Sequence, residues 1–284
     1  MAKIIAGIKN KIRLWFQIIF TLLTNGYIYG FIEGKIYRGP LKNICIPGLN
    51  CYSCPGALGA CPLGSLQSSL SGRHFKIPFY IIGSLMLIGS IFGRAVCGWM
   101  CPFGLVEELI YKIPFKIKRK NLPGHKRIIC IKYVLLVLFV ILLPILVRDV
   151  TGLGSPWFCK YICPSGTIMA GIPLAITNQA IRSSLGILFN WKIILLVIIL
   201  LSSIIYYRPF CKYFCPLGAI YGFFNKISLI KLDVDKDKCT GCGVCKKSCG
   251  IDIKVWENPN SMECIRCGDC VKKCPHGAID RKFG

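Results

Sequence analysis

The sequence predicts an all-α integral membrane protein. It would have about four transmembrane helices in two half-repeats with short interfacial helices, and a small α+β domain at the C-terminal end. Three observations predict this. The 284 residues are 54% hydrophobic and only 17% charged, with a mean hydropathy of +0.57, where soluble domains run near a quarter charged (about 25%). Long apolar stretches recur along residues 12–207, and the 19 cysteines fall in short, repeated spacings.

The first stretch, 12–32, follows a basic start (Lys3, Lys9, Lys11, Arg13). No small-x-small cleavage site follows and Glu33-Gly34-Lys35 comes next, so it reads as a span and not a signal peptide. Gly26-x3-Gly30 within it reads as helix packing. The second stretch is 77–93. The third, 128–147, is bounded by Arg127 and Arg148; Lys132 is near enough its end to snorkel, and Pro144 is a tolerable kink. The fourth is 185–207. Each is near the roughly 20 residues that cross about 30 Å of hydrocarbon.

Charge gives an orientation. Lys plus Arg number 36 against 12 acids, a net of +24. Of those acids, only Glu33, Glu107, Glu108 and Asp149 precede residue 230. The excess positive charge therefore belongs to the apolar part and reads as orientation and anionic-lipid contact. Nucleic-acid binding would need a basic face on a folded domain and is excluded. The loop 112–127 carries Lys112, Lys116, Lys118, Arg119, Lys120, Lys126 and Arg127 with no acid, which places it in the cytoplasm. Both termini then lie inside and segments 33–76 and 148–184 outside, giving a multi-pass protein of the cell membrane. Residues 1–230 form the membrane domain. Residues 231–284 are polar and cysteine-dense; they are too few for a good hydrophobic core and need metal to hold them.

Four C-P-x-G motifs punctuate the first domain. Cys61-Pro62-Leu63-Gly64 and Cys163-Pro164-Ser165-Gly166 fall on the outer side, Cys101-Pro102-Phe103-Gly104 and Cys215-Pro216-Leu217-Gly218 on the inner. Cys97, Cys159 and Cys211 stand four residues before three of them; the fourth has Ala57 there, with Cys51 and Cys54 just upstream. Pairing across the halves gives an inner set of Cys97, Cys101, Cys211 and Cys215, the four thiolates that a cubane iron–sulfur cluster takes. The outer set is Cys159, Cys163 and Cys61 with one or both of Cys51 and Cys54; Cys54 is the choice and Cys51 the remaining candidate. Structural zinc and an outer Cys51–Cys54 disulfide are the competing readings. Cys130 reads as a small buried hydrophobe and Cys45 as a spare thiol or disulfide partner. Glu107 and Glu108 read as a solvated helix face before a proton relay. Segments 103–115 and 217–230 read as short amphipathic helices at the interface.

In the last 54 residues Cys239-x2-Cys242-x2-Cys245-x3-Cys249 is followed by Cys264-x2-Cys267-x2-Cys270-x3-Cys274-Pro275. This resembles the bacterial two-cluster ferredoxin, in which the fourth cysteine of each run serves the other cluster. That resemblance implies Cys239, Cys242, Cys245 and Cys274 for one cluster and Cys264, Cys267, Cys270 and Cys249 for the second. Complete four-thiolate sites suit single-electron transfer. The chemistry of other classes is missing: the three histidines never follow a C-x-x-C, and there is no Rossmann fingerprint, Walker motif or Ser-His-Asp set. A secreted disulfide scaffold is excluded by the apolar runs.

The whole chain, from the N-C-x-x-C-P…A-C-P-x-G segment at 50–64 through the C-x3-C-P pairs to the C-terminal domain, resembles the NapH/NosR-type membrane polyferredoxins. It lacks the large outer flavin-bearing domain of the NosR-like members. The cysteine sets together suggest about four [4Fe-4S] clusters, two in the ferredoxin domain and one inner and one outer in the membrane domain; the additional outer pair Cys159 and Cys163, which completes the outer set, is a departure from the family. The resemblance implies electron movement between a cytoplasmic donor or acceptor and a quinone or a redox partner outside. Membrane lipid and redox proteins are the expected partners. The alternatives are a quinol oxidoreductase subunit with its own quinone site, or a maturation factor for redox enzymes. Several clusters in a lysine- and isoleucine-rich chain suit anaerobic metabolism.

Overall fold

A computed structural model of the protein describes residues 2–72, 77–150 and 152–283. The side chains of residues 2–11 lie outside this description, and with them the basic start at Lys3, Lys9 and Lys11. Among the described residues, elements up to residue 224 are helical, and the C-terminal part carries two antiparallel strands with two short helices between them.

The four-span expectation is overturned. Among the described residues one helix, Ile187–Ile205, is long and apolar enough to cross a membrane: 19 residues with a mean hydropathy of 2.4. The other three apolar stretches contract to Ile12–Thr24, Phe79–Phe92 and Ile131–Leu146. A helix of 14 residues such as Phe79–Phe92 rises only about 21 Å, short of the roughly 30 Å of hydrocarbon. Two half-repeats of paired spans are therefore not formed. The multi-pass placement in the cell membrane falls with them.

The physical reasons are local. Stretch 12–32 breaks at Asn25-Gly26, beyond which only a short helix, Ile28–Glu33, follows. Stretch 77–93 is helical only between Pro78 and Gly93, whose φ of +53° ends the helix. Stretch 128–147 loses residues at both ends and widens to π geometry over Leu136–Leu142, just before Pro144, whose missing N–H disturbs the helical ladder.

The segments expected at an interface are instead core helices. In Pro102–Tyr111 the residues Phe103, Leu105, Glu107 and Glu108 are buried, and in Pro216–Phe224 so are Leu217, Ala219 and Tyr221. Helices Ala2–Thr24 and Ile187–Ile205 both pack on Pro102–Tyr111. One core gathers Leu49, Leu63, Phe103, Phe158, Phe210 and Leu217 with most of the motif cysteines. The outward faces of the apolar helices carry large exposed side chains, Leu23, Phe79, Leu146 and Ile198 among them.

In the C-terminal part, strand β1 (Ile230–Val234) pairs antiparallel with β2 (Ile279–Phe283), Ile230 opposite Phe283 and Val234 opposite Ile279. Leu232, Val255 and Ile279 form a second small core with Cys245, Cys264 and Cys270. The short helices Val244–Ser248 and Asp269–Lys273 pack together. Each starts from a glycine with positive φ, Gly243 (72°) and Gly268 (83°), a conformation that side chains with a Cβ resist.

Candidate metal centres

The C-P-x-G motif has one local geometry at all four places. The cysteine is extended and caps a helix whose first residue is the proline, as at Cys61, Cys101, Cys163 and Cys215. Proline suits that first position because its N–H would be unbonded there anyway. The backbone N–H groups of the next turn are thus left to face sulfur. The Gly104 N–H donates to Cys101 Sγ at 3.5 Å and the Gly218 N–H to Cys215 Sγ at 3.4 Å. Three short helices, Ala95–Trp99, Trp157–Tyr161 and Pro209–Tyr213, carry the preceding cysteines.

The structure gathers the cysteines into four sets of four. Cys97, Cys101, Cys211 and Cys215 line one narrow cavity with Leu49, Phe103 and Phe210. Cys249, Cys264, Cys267 and Cys270 line a second with Tyr207, Ile251 and Arg266. Cys239, Cys242, Cys245 and Cys274 line a third, where the Ala278 N–H donates to Cys274 Sγ at 3.3 Å. The fourth cavity, about 640 Å³, is lined by Cys51, Cys61, Cys159 and Cys163 with Lys192.

Cys54, the residue chosen from sequence for the outer set, does not line that cavity. A tight turn, with the Cys54 N–H donating to the Cys51 carbonyl at 3.0 Å, sends its buried thiol towards Asn25 Oδ1 at 3.6 Å. Cys51 takes the place. Serine at Cys51 should therefore lower the iron content by about four per chain, while serine at Cys54 leaves it unchanged. Iron and acid-labile sulfide on anaerobically purified variants check this; equal losses at both positions would contradict it.

All 19 cysteines are free thiols, including Cys51 and Cys54. Cys130 is exposed, not a buried hydrophobe, and Cys45 is buried. Among the described residues no three His, Cys, Asp or Glu side chains converge on a single-ion position. The thiols ring cavities instead, as a multi-iron core with one thiolate per iron requires.

Two further observations fit an anionic cluster beside these thiols. Arg266 is buried next to the second ferredoxin set. It donates to the Phe92 and Asn225 carbonyls and to Ser228 Oγ, pairs with no carboxylate among the described residues, and leaves its Nε unbonded. A buried cation without a counter-charge is costly, and a cluster supplies one. The Tyr221 hydroxyl is also buried without a partner, in the core that holds Cys61, Cys97 and Cys101. An orphaned buried donor costs about 1–3 kcal/mol, which a cluster sulfide would relieve.

Around the inner set lies a network of buried charges. Glu108 pairs with Arg208 at 2.5 Å and with Arg13. Glu263 pairs with Arg94 at 2.6 Å and with Lys132 at 2.5 Å. Glu107 accepts from the Phe210 N–H at 2.8 Å and the Cys211 N–H at 3.4 Å. Burial, and then the Cys211 thiol, push its carboxyl up to about 8. Neither Glu107 nor Glu108 is the solvated helix face that the sequence suggests. The Cys211 thiol is held far below its ordinary range, first by its hydrogen bond with Cys97 and then, against the cost of burial, by Arg94, Arg208 and Lys132. Sequence reasoning passed over these arginines, although an arginine stands three residues before the first cysteine of both inner pairs.

A 4Fe-4S binding domain family model matches residues 78–120, 133–173 and 188–234, and a second model of the same description matches 259–280. Two uncharacterised proteins of Methanocaldococcus jannaschii are similar. MJ0749 is 34% identical over 200 residues, 68% of this chain and 66% of that one, so the chain spans just under two thirds of its length. MJ0750 is 32% identical over 207 residues, 70% of this chain and 76% of that one. The ferredoxin-type protein NapH of Haemophilus influenzae is 28% identical over 261 residues, 86% of this chain and 83% of that one. No solved structure matches. The thiol sets, the domain matches and the 76% coverage of MJ0750 together place the chain: it belongs to the family of these Methanocaldococcus proteins, carries 4Fe-4S binding domains, and is distantly related to NapH-like ferredoxin-type proteins.

Proposed function

We propose that the chain is an electron-transfer protein whose four thiolate sets hold four [4Fe-4S] clusters in line. When bound, such clusters supply one-electron redox centres. The observation that carries this is adjacency. The first ferredoxin set (Cys239, Cys242, Cys245, Cys274) is distal, with Cys242 exposed. It meets the second set through the packed pair of short helices. The second set abuts the inner one: a Cβ on Gly98, next to Cys97, would stand 2.4 Å from the Ile265 carbonyl oxygen, between Cys264 and Cys267. Leu49 lines both the inner and the outer cavity.

The chain's own residues do three things along this line. They supply the thiolates, exclude water from the inner set, whose four cysteines are all buried, and leave the two ends reachable. Cys242 at one end suits a soluble redox protein. The open outer cavity at the other suits exchange with a redox partner or a quinone; its walls include Tyr52, Leu174 and Lys192. The exposed apolar side chains of Ile187–Ile205 support lipid contact at that helix. A second reading, catalysis of quinol oxidation at the outer site, is favoured by the room that cavity leaves beside its four thiols.

Rapid mixing tests the relay. Anaerobic protein reduced through its ferredoxin end should pass electrons to a water-soluble quinone. Cys101→Ser with Cys215→Ser should slow that transfer by more than about tenfold, roughly 1.4 kcal/mol in the barrier, while reduction of the two ferredoxin sets is unchanged. Equal transfer rates in parent and variant would sink the proposal.

A further inference from the structure

The inner motifs share more than cysteines. Both read R-x2-C-x3-C-P-x-G, from Arg94 to Gly104 and from Arg208 to Gly218. Each arginine crosses to the other motif. Arg94 Nη2 donates to the Cys211 carbonyl at 3.1 Å, and Arg208 Nη1 donates to the Cys97 carbonyl at 2.7 Å. Each also passes over the other motif's glycine: a Cβ on Gly218 would stand 3.3 Å from Arg94 Nη2, and one on Gly104 3.1 Å from Arg208 Nη1. Both side chains are completely buried.

Their remaining contacts differ. Arg208 turns to Glu108, which it shares with Arg13 of the N-terminal helix. Arg94 turns to the ferredoxin part, where it holds the Met262 carbonyl at 2.9 Å and Glu263 at 2.6 Å. Glu263 is the residue before Cys264. Arg94 thus joins a cysteine-bearing segment of the inner set to one of the second ferredoxin set, whereas Arg208 bonds only to the Cys97 carbonyl and Glu108 among the described residues.

We infer that Arg94 and Arg208 are paired positioning residues that raise the reduction potential of the inner site, and that Arg94 alone also acts on the second ferredoxin site, making the two a coupled redox unit. This rests on the proposed cluster ligation of those sets. A fixed cation in a low-dielectric surrounding favours the state with one more electron, and contacts of this kind around cluster ligands tune potentials.

Potentials from EPR-monitored redox titration of the full chain, with iron counted on each sample, test it. Arg208→Gln should move the inner-site signal to lower potential and leave both ferredoxin-domain signals in place. Arg94→Gln should lower the inner signal and shift one ferredoxin-domain signal as well. Arg94→Lys and Arg208→Lys should restore most of each shift with parental iron. If a glutamine variant loses iron, the lysine variants carry the test through smaller shifts in the same pattern. Unchanged potentials at full iron content, or equal effects of both arginines on the ferredoxin domain, would overturn the inference. A parent protein with no inner-site iron would overturn the ligation itself, a separate outcome visible before any arginine is changed.

Discussion

Serine at both Cys101 and Cys215 is expected to remove about four of some sixteen irons per chain, and to leave the two ferredoxin sets loaded. The two sulfurs are the capping cysteines of the inner motifs, each accepting a glycine N–H. They are 5% and 2% exposed, so no water can replace a lost thiolate without opening the core. The losses should not spread, because the cysteines of the ferredoxin sets all lie within residues 239–274. Iron and sulfide analysis with the optical spectrum of anaerobic protein decides the matter. A count near eight in the parent, unmoved by the double variant, would mean that the inner thiols hold no cluster.

Glu108→Ala should be the most destabilising single change away from the cysteines, by about 3–5 kcal/mol. Glu108 has two guanidinium partners, Arg13 and Arg208, and side-chain exposure within the trio is 8%, 7% and 0%. Removing the carboxylate leaves Arg13 on the Gly98 carbonyl and Arg208 on the Cys97 carbonyl, two buried cations that have lost the carboxylate they share. Burial alone would raise the Glu108 carboxyl, but Arg208 and then Arg13 overcome it and hold the group below its ordinary range. Its contribution is therefore complete above the unfolded carboxylate pKa and is lost as pH falls through the depressed folded value. Glu33→Ala is the control: its pair with Lys35 is exposed, and solvent screening leaves such a pair little weight. Thermal unfolding of loaded protein should show Glu108→Ala melting about 5–15 °C lower. A shift as small as that of Glu33→Ala would show that the buried trio carries no weight.

How much of this could be read from sequence varied with the range of the interaction. Cysteine spacing is a short-range signal: it singles out the inner four, which line one cavity, while the division of the cysteines at 239–274 into two sets comes from the ferredoxin resemblance and matches the two cavities they line. Cys51 and Cys54 lie in one tight turn, and spacing does not say which thiol a turn presents. The charges failed for the opposite reason. Glu108 and Arg208 are 100 residues apart, so a window around Glu107-Glu108 sees two acids after a helix start and reads solvent. The apolar stretches misled because hydropathy averages over residues that are not helical, such as Pro78, Gly93 and the Asn25-Gly26 break. Length of apolar sequence and length of apolar helix are different quantities, and only the second bears on a bilayer.

Leu49 lines both the inner and the outer cavity, and its carbonyl accepts from Ser165 Oγ at 2.9 Å. The outer cavity is open and the inner site is sealed. Dioxygen therefore has two ways in, through the outer cavity and at the exposed Cys242, and both lead first to sites at the ends of the line. Oxidative damage should advance inward from the two ends, and Leu49 is the barrier that decides how long the middle survives after the outer end is gone.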